Sequence, residues 1–187
     1  MNIPDKIKYH HDHKKYCRIQ RQVADETAEP CTGYIVDYSA NFVLLQETSD
    51  FDVCGYLVIS VQTISDIRFN NNDKYYDKIM QWEGLKDKIE NKYKIDLSSW
   101  ETILRSIKNA GFNVLIQNEA PTEPTFDIGP ITEITDAFVY IRYFNASGLL
   151  NDEPSKIDLN QITIVKFDDR YINVFSKYLR VRKPKSD

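Results

Sequence analysis

Basic side chains are missing from two long stretches of this chain. Between Gln22 and Ile67, and again between Asn109 and Ile141, the sequence contains neither Lys nor Arg, although both stretches carry several carboxylates. Nucleic-acid binding depends on Lys and Arg side chains that neutralise phosphates. Surfaces built from these stretches are therefore expected to repel nucleic acid. The basic residues cluster elsewhere, including both ends of the chain.

Long apolar runs are also missing. None approaches the roughly 18–20 residues that a membrane-spanning helix needs, and the start, MNIPDKIKYHHDHKKY, is not followed by the apolar segment of a signal peptide. We therefore expect a cytoplasmic protein that does not contact membranes. The three cysteines, Cys17, Cys31 and Cys54, are too few and too scattered for a disulfide framework. We interpret them as small core residues.

The motifs that accompany common catalytic chemistries do not occur in the sequence. It has no phosphate-binding loop, no dinucleotide-binding glycine turn, no nucleophile elbow and no HExxH zinc motif. We therefore expect a protein without enzymatic activity and without a cofactor.

What the sequence does contain is a repeat with a period near 96 residues. Residues 33–45, GYIVDYSANFVLL, align with residues 129–141, GPITEITDAFVYI. The two segments share the pattern G-x-I-x-[DE]-x-[ST]-x-x-F-V-x-[LI]. Residues 64–69 match residues 162–167 at nearly the same offset. We infer an internal duplication.

Each copy is predicted to contain five short strands and a closing helix. Alternating apolar residues predict strands in the first copy at 16–23, 34–38, 42–46, 56–60 and 63–69. In the second copy they predict strands at 112–119, 130–134, 138–144, 156–159 and 161–167. The closing helices are expected near 73–82 and 169–179. Five short strands in succession favour a small barrel, because closure removes exposed sheet edges.

The segment between the copies is predicted to be helical. Residues 85–93 are rich in charge, Ser98 and Glu101 have the spacing of a capping box, and Gly111 is suited to end a helix. Apolar side chains recur at helical spacing in between, at Trp100, Ile103, Leu104 and Ile107. The predicted domains are therefore a first barrel at 1–83, a helical connector at 84–110 and a second barrel at 111–187.

The repeated pattern resembles the Sm-like small β-barrel. A glycine that opens a strand, an acidic residue four positions later, a tight turn and an F-V-x-[LI] strand match the first half of that family's signature, and residues 55–67 resemble the second half. The resemblance implies an α+β, mainly β protein with two tandem five-stranded barrels. It does not extend to the family's RNA site. Val43 stands where we would align the base-contacting Asn, and Ser60-Val61-Gln62 replaces the basic-glycine pair.

We predict a non-enzymatic interaction module that presents tyrosines beside carboxylates to a protein partner. The candidate partner-binding residues are Tyr34, Tyr38, Tyr56, Asp37 and Glu133. On this hypothesis, replacing Tyr38 or Tyr56 by Ala weakens binding without unfolding the protein. The alternative is that the tyrosines belong to the core and that each carboxylate bonds the backbone of the following turn.

Two other functions are open at this point. An Sm-like RNA binder would use the basic termini of the chain, with Arg180, Arg182, Lys183 and Lys185 as the candidate contacts. A metal-dependent enzyme would use the cluster His10-His11-Asp12-His13, because a strand would place His11 and His13 on one face. The simpler interpretation of that cluster is an exposed N-terminal segment. The identity of the partner and the oligomeric state are not specified by these patterns.

Overall fold

The protein, in a computed structural model that describes residues 1–181, begins with helix α1 at Ile3–Asp12. Five strands follow: β1 at Tyr16–Val23, β2 at Glu26–Tyr38, β3 at Phe42–Ser49, β4 at Asp52–Ser60 and β5 at Ile64–Arg68. A 3₁₀ turn at Val61–Thr63 separates the last two strands. Helix α2 at Asn71–Trp82 completes what we call the first half.

The second half, residues 100–181, has the same order of elements. Helix α3 at Trp100–Asn109 precedes the strands β6 at Val114–Asn118, β7 at Thr125–Gly129, β8 at Ile131–Ile134, β9 at Phe138–Ile141, β10 at Ser155–Asp158 and β11 at Ile164–Phe167. A 3₁₀ turn at Leu159–Gln161 precedes β11, and helix α4 at Arg170–Ser176 follows it. Together β7 and β8 take the place of β2. They are separated at Pro130, which has no N–H to donate to a ladder.

The strands form two antiparallel sheets. The large sheet has eight strands in the order β5-β1-β2-β3-β4-β11-β6-β7, and the small sheet has three in the order β10-β9-β8. The chain is therefore mainly β, but the expected pair of closed five-stranded barrels is wrong. A closed first barrel would need β4 to pair with β5. Instead Tyr56–Ile59 of β4 pairs with β11 of the other half.

The two halves repeat local details of backbone geometry. Gly33 and Gly129 have φ of +154° and +153°, and a Cβ atom at either would lie about 2 Å from a carbonyl oxygen of the neighbouring segment, 2.1 Å from Gln46 O or 2.2 Å from Arg142 O. A β-bulge follows each glycine, just before Asp37 in one half and just before Glu133 in the other. These matches lie at the positions that the sequence repeat aligns.

One apolar core is shared by the two halves. It combines side chains of β3 and β4 with the buried face of α3 and with strands of the second half. This core crosses both predicted domain boundaries, at 83 and at 110. Residues 84–99, expected to be helical, contain a single short 3₁₀ turn at Lys86–Lys88, whereas α3 is confirmed. Its N-cap is Ser99 rather than Ser98, and Thr102 completes the capping box.

Candidate functional site

A broad concavity lies where the two halves meet. Two adjoining cavities, of about 590 and 380 Å³, share Ala40, Asn41 and Ser98 in their walls. We call this continuous depression the junction groove. Its walls come from the β2–β3 turn, the 3₁₀ turns at Val61–Thr63 and Leu159–Gln161, the turn before β9 and the segment 95–101 that leads into α3.

Equivalent turns of the two halves face this groove. In the first half, the Ser39 hydroxyl accepts a hydrogen bond from the N–H of Phe42 at 3.1 Å, and in the second half the Thr135 hydroxyl accepts one from the N–H of Phe138 at 3.0 Å. Each turn also anchors the following 3₁₀ turn. In the first half the N–H of Val61 donates to Asn41 O at 2.8 Å. In the second half the N–H of Leu159 donates to Ala137 O at 2.9 Å. The groove is therefore built on rigid, hydrogen-bonded turns.

Two aromatic rings contribute to the apolar part of the groove. The ring of half-buried Trp100, the first residue of α3, meets the ring of buried Phe42 edge to face, with centroids 4.8 Å apart. The capping box of Ser99 and Thr102 fixes the start of α3 and with it the indole. Edge-to-face contacts of this kind hold both rings in place. A ligand segment would find a rigid aromatic surface here.

Carboxylates supply the charge of the groove. They come from three separate elements of the wall, and they are Asp37, Asp96, Glu101 and Asp136. Among the described residues, no Lys, Arg or His side chain lines either cavity. Within residues 1–181, Glu101 alone of the four carboxylates forms an ion pair, with Arg105 at 2.8 Å. The groove therefore favours cationic groups and disfavours phosphates.

Asp37 and Tyr38 are the predicted site residues that the structure places in the groove. The Asp37 carboxylate accepts a hydrogen bond from the N–H of Tyr38 at 2.8 Å and another from the Asn91 amide at 3.0 Å. This is the local backbone role that the sequence offered as an alternative. The half-exposed Tyr38 ring meets the His11 ring edge to face, at 5.1 Å between centroids. Glu133 is exposed at the equivalent bulge of the second half but does not line the groove.

Tyr34 and Tyr56 belong to the core. Tyr34 is 0% exposed and donates to the buried Asp77 carboxylate at 3.0 Å, while Tyr56 is 1% exposed and donates to Glu90 O at 2.8 Å. Burial, followed by the Asp77 charge, raises the pKa of Tyr34 far above its usual range, and burial raises the pKa of Tyr56 to about 12. The interpretation of these two rings as partner contacts is therefore wrong. Period-2 alternation did not reveal that both faces of these strands are covered.

The histidine cluster lies in helix α1, not in a strand. Successive residues of a helix point about 100° apart, so His11 and His13 do not share a face. His11 bonds Asp12 at 2.9 Å, His13 bonds Tyr9 O at 2.9 Å, and His10 is buried against Phe69. Residues 1–181 contain no group of three or more His, Cys, Asp or Glu side chains arranged to hold a metal ion.

Of the four predicted basic contacts near the C-terminus, Arg180 is described. Its guanidinium donates to Ser147 O at 2.7 Å, and its backbone bridges to Leu149. Arg182, Lys183 and Lys185 lie outside the described residues.

Sequence reasoning missed three contributors to the groove, namely Trp100, Asp96 and Asp136. Trp100 was assigned to the apolar face of a connecting helix, which is correct but incomplete, because its ring also borders the groove. Asp136 lies in the predicted hairpin turn of the second copy, at the position that the repeat aligns with Ala40. Placing that turn opposite the first half requires the β4–β11 pairing, for which the sequence carries no signal.

Comparison of the chain with models of known families, with curated proteins and with solved structures finds no match. Within residues 1–181, no helix combines the length and the apolar character that crossing a membrane requires.

Proposed function

We propose that the protein is a non-catalytic, cytoplasmic interaction module whose junction groove binds a basic segment of a partner protein. The observation that carries this proposal is the lining of the groove, in which four carboxylates surround an apolar floor and no Lys or Arg among residues 1–181 lines the wall. The three free thiols, at Cys17, Cys31 and Cys54, are in keeping with a reducing compartment.

The shape of the groove suits an extended segment of a polypeptide. A cavity of about 590 Å³ that continues into a second of about 380 Å³ has the size of sites that hold several side chains. Aromatic rings such as Trp100 and Tyr38 provide contact area with few rotatable bonds, and Arg or Lys side chains pack well on such rings. The carboxylates then select for basic residues through charge complementarity.

The proposal is tested by affinity capture from a nuclease-treated lysate of the source cells, with bound proteins identified by mass spectrometry. The wild-type protein is compared with the groove variant Asp37→Asn/Asp136→Asn and with Tyr38→Ala. The matched control is Glu26→Gln/Glu133→Gln, because it removes two exposed carboxylates that do not line the groove. A partner held through the groove is retained by the wild type and the control and lost from the groove variants.

Two results would contradict the proposal. If the captured protein binds the groove variants as well as it binds the wild type, its binding surface lies elsewhere. If nuclease treatment removes all captured material, the ligand is a nucleic acid, and the charge of the groove is not the recognition element.

A further inference from the structure

A second concavity has the opposite charge. It has a volume of about 440 Å³ and lies between the β3–β4 hairpin, the segment 88–92 and helix α4. We call it the cationic groove. Four basic side chains from two segments line it, namely Lys88 and Lys92 of segment 88–92 and Arg170 and Lys177 at the two ends of α4. Among the described residues of the lining, Asp168 is the single carboxylate, in a chain whose formal net charge is −4.

Three of the four cations of this groove have no ion-pair partner among the described residues. Within residues 1–181, Lys88, Arg170 and Lys177 form no ion pair, and Lys92 has only an exposed contact with Glu90 at 3.6 Å. Four like charges around one depression repel each other, and low-dielectric walls concentrate their field in the space between them. An anion bound there would relieve this repulsion.

Asp168 does not neutralise the groove. One of its oxygens accepts a hydrogen bond from the Tyr93 hydroxyl and the other accepts one from the Asn173 amide, both at 2.7 Å. It forms no ion pair with the described cations around it. Burial of the Tyr93 ring, and then its bond to Asp168, raise the pKa of the phenol above its ordinary range. The phenol therefore stays a donor, and the carboxylate stays turned toward Tyr93 and Asn173.

The wall of the groove is fixed by a close backbone approach. A Cβ atom on Gly55 would lie 2.6 Å from Asp169 N and from Phe167 O, so β4 lies directly against the turn that leads into α4. This contact sets the distance between the hairpin and the helix that carries Arg170 and Lys177. The basic side chains themselves are exposed and free to adjust to a ligand.

We propose that the cationic groove binds a small compound that carries two or more phosphate groups. Arg170 offers a planar guanidinium for bidentate contact with one phosphate, and the lysines act as point charges for the others. Four cations carry more positive charge than one phosphate balances, whereas a chain of phosphates carries enough negative charge to match all of them. This site is independent of the junction groove and of the proposed protein partner.

Calorimetric titration of the full chain with sodium tripolyphosphate tests the inference, with orthophosphate and ATP as parallel titrants. The site variant is Arg170→Gln/Lys177→Gln. The matched control is Lys74→Gln/Lys78→Gln, which removes the same charge from exposed positions of α2. We expect tripolyphosphate to bind about tenfold more tightly than orthophosphate, and the site variant to weaken it by about tenfold or more. The control should bind as the wild type does.

Cys54 provides a second, independent readout. It lines the groove and is half-buried, whereas Cys17 and Cys31 are buried. A bound polyphosphate should slow alkylation of Cys54 by a neutral reagent, as followed by mass spectrometry. The site variant should lose this protection. ATP that binds more tightly than tripolyphosphate would identify a nucleotide as the ligand, and equal affinities would identify the phosphate chain alone.

Three results would overturn the inference. The first is tripolyphosphate binding no tighter than orthophosphate. The second is an equal loss of affinity in the site variant and in the α2 control, which would indicate a general charge effect. The third is a single-stranded oligonucleotide that binds through Arg170 and Lys177 while tripolyphosphate does not, since the groove would then belong to a nucleic-acid surface. Thermal unfolding of every variant verifies that it is folded.

Discussion

Arg21 and Glu119 form a bidentate ion pair that joins the two halves of the molecule. The guanidinium donates to the two carboxylate oxygens at 3.1 and 2.5 Å, and the side chains are 0% and 17% exposed. Four strands separate β1 from β6 in the sheet. In a flat sheet these strands would lie about 24 Å apart. The contact therefore requires the sheet to curl.

A second ion pair runs in the reciprocal direction. Lys166 of β11 donates to Glu47 of β3 at 2.9 Å. In each pair a carboxylate from a stretch without Lys or Arg meets a cation from the other half of the chain. Glu47 and Glu119 therefore add less negative charge to the surface than the sequence suggests, because Lys166 and Arg21 pair with them.

The Arg21–Glu119 pair is expected to contribute strongly to stability. Glu119→Gln leaves the guanidinium buried without a counter-charge, and we expect it to lower the free energy of unfolding by about 3 kcal/mol. Arg21→Met/Glu119→Gln should recover a large part of that loss, because the buried charge is then gone. Urea unfolding of the wild type, both single variants and the double variant measures the coupling. Strictly additive losses would show that the pair does not act as a unit.

The equivalence of Gly33 and Gly129 can be tested by substitution. Ala at either position would place its Cβ about 2 Å from a carbonyl oxygen, and we expect each variant to lose more than about 2 kcal/mol of stability. Gly84→Ala is the control, since nothing lies within 4 Å of its Cβ position and only its φ of +66° opposes the change. Its cost should be about 1 kcal/mol. If Gly129→Ala costs no more than the control, the two glycines are not structurally equivalent.

Buried His10 should make the protein sensitive to mild acid. Burial lowers the pKa of His10 below its ordinary 6.5, although the bond to Lys15 O opposes this. The charges that face it are those of Lys6 and Asp77. As the pH falls below 6.5, His10 is therefore protonated in the unfolded chain before it is protonated in the folded protein. Stability from this group is therefore complete above pH 6.5 and is lost as the pH falls through the folded pKa.

The measurement is the Tm between about pH 7 and pH 5, a range above the titration of most carboxylates. We expect the Tm of the wild type to fall over this range and the fall to be smaller in His10→Asn. His13→Asn, at an exposed position, should retain the slope of the wild type. An unchanged slope in His10→Asn would assign the acid sensitivity to another group.

Alkaline pH should destabilise the core through its buried phenols. The pKa of Tyr56 lies near 12 in the folded protein, above its ordinary 10, because the ring is buried. A raised pKa means that the stability is present below pH 10 and is lost as the pH rises from 10 through 12. Tyr56→Phe should show a weaker loss of unfolding free energy between about pH 9 and pH 11. Tyr75→Phe, at a position 59% exposed, should behave as the wild type does. Equal slopes in the two variants would contradict the assignment.

Local elements were largely predictable from the sequence. Strand β1, helix α3 and the succession of five strands in the first half follow from apolar periodicity and glycine positions, although the capping box of α3 uses Ser99 and Thr102 instead of the predicted Ser98 and Glu101. Helix α1 was missed, because its polar sequence gives little apolar periodicity. Its stability comes from the N-cap Asn2 and from the burial of Ile7 and His10.

The pairing of sheet edges was not predictable. Every strand of a duplicated unit has two candidate partners, one in its own copy and one in the other, and the side-chain pattern of β4 is the same for both. Because β4 pairs with β11, the first half does not close into a barrel, and the turns of the two halves lie together around the junction groove. Of the predicted partner-binding residues, Asp37 and Tyr38 lie in the groove. For Tyr34 and Tyr56 the sequence could not distinguish a ring at the surface from a ring covered by residues far along the chain.

The most direct test of the junction groove uses the fluorescence of Trp100. Trp82→Phe removes the other of the two tryptophans, which is exposed on α2, so that Trp100 alone reports on the groove. A short peptide of alternating Arg and Gly is titrated into this variant, into the same variant with Asp37→Asn/Asp136→Asn, and into the same variant with Glu26→Gln/Glu133→Gln. We predict a saturable change in emission for the first and third proteins and its loss in the second. An equal response in all three, or none in any, would contradict the assignment of this groove as a site for basic segments.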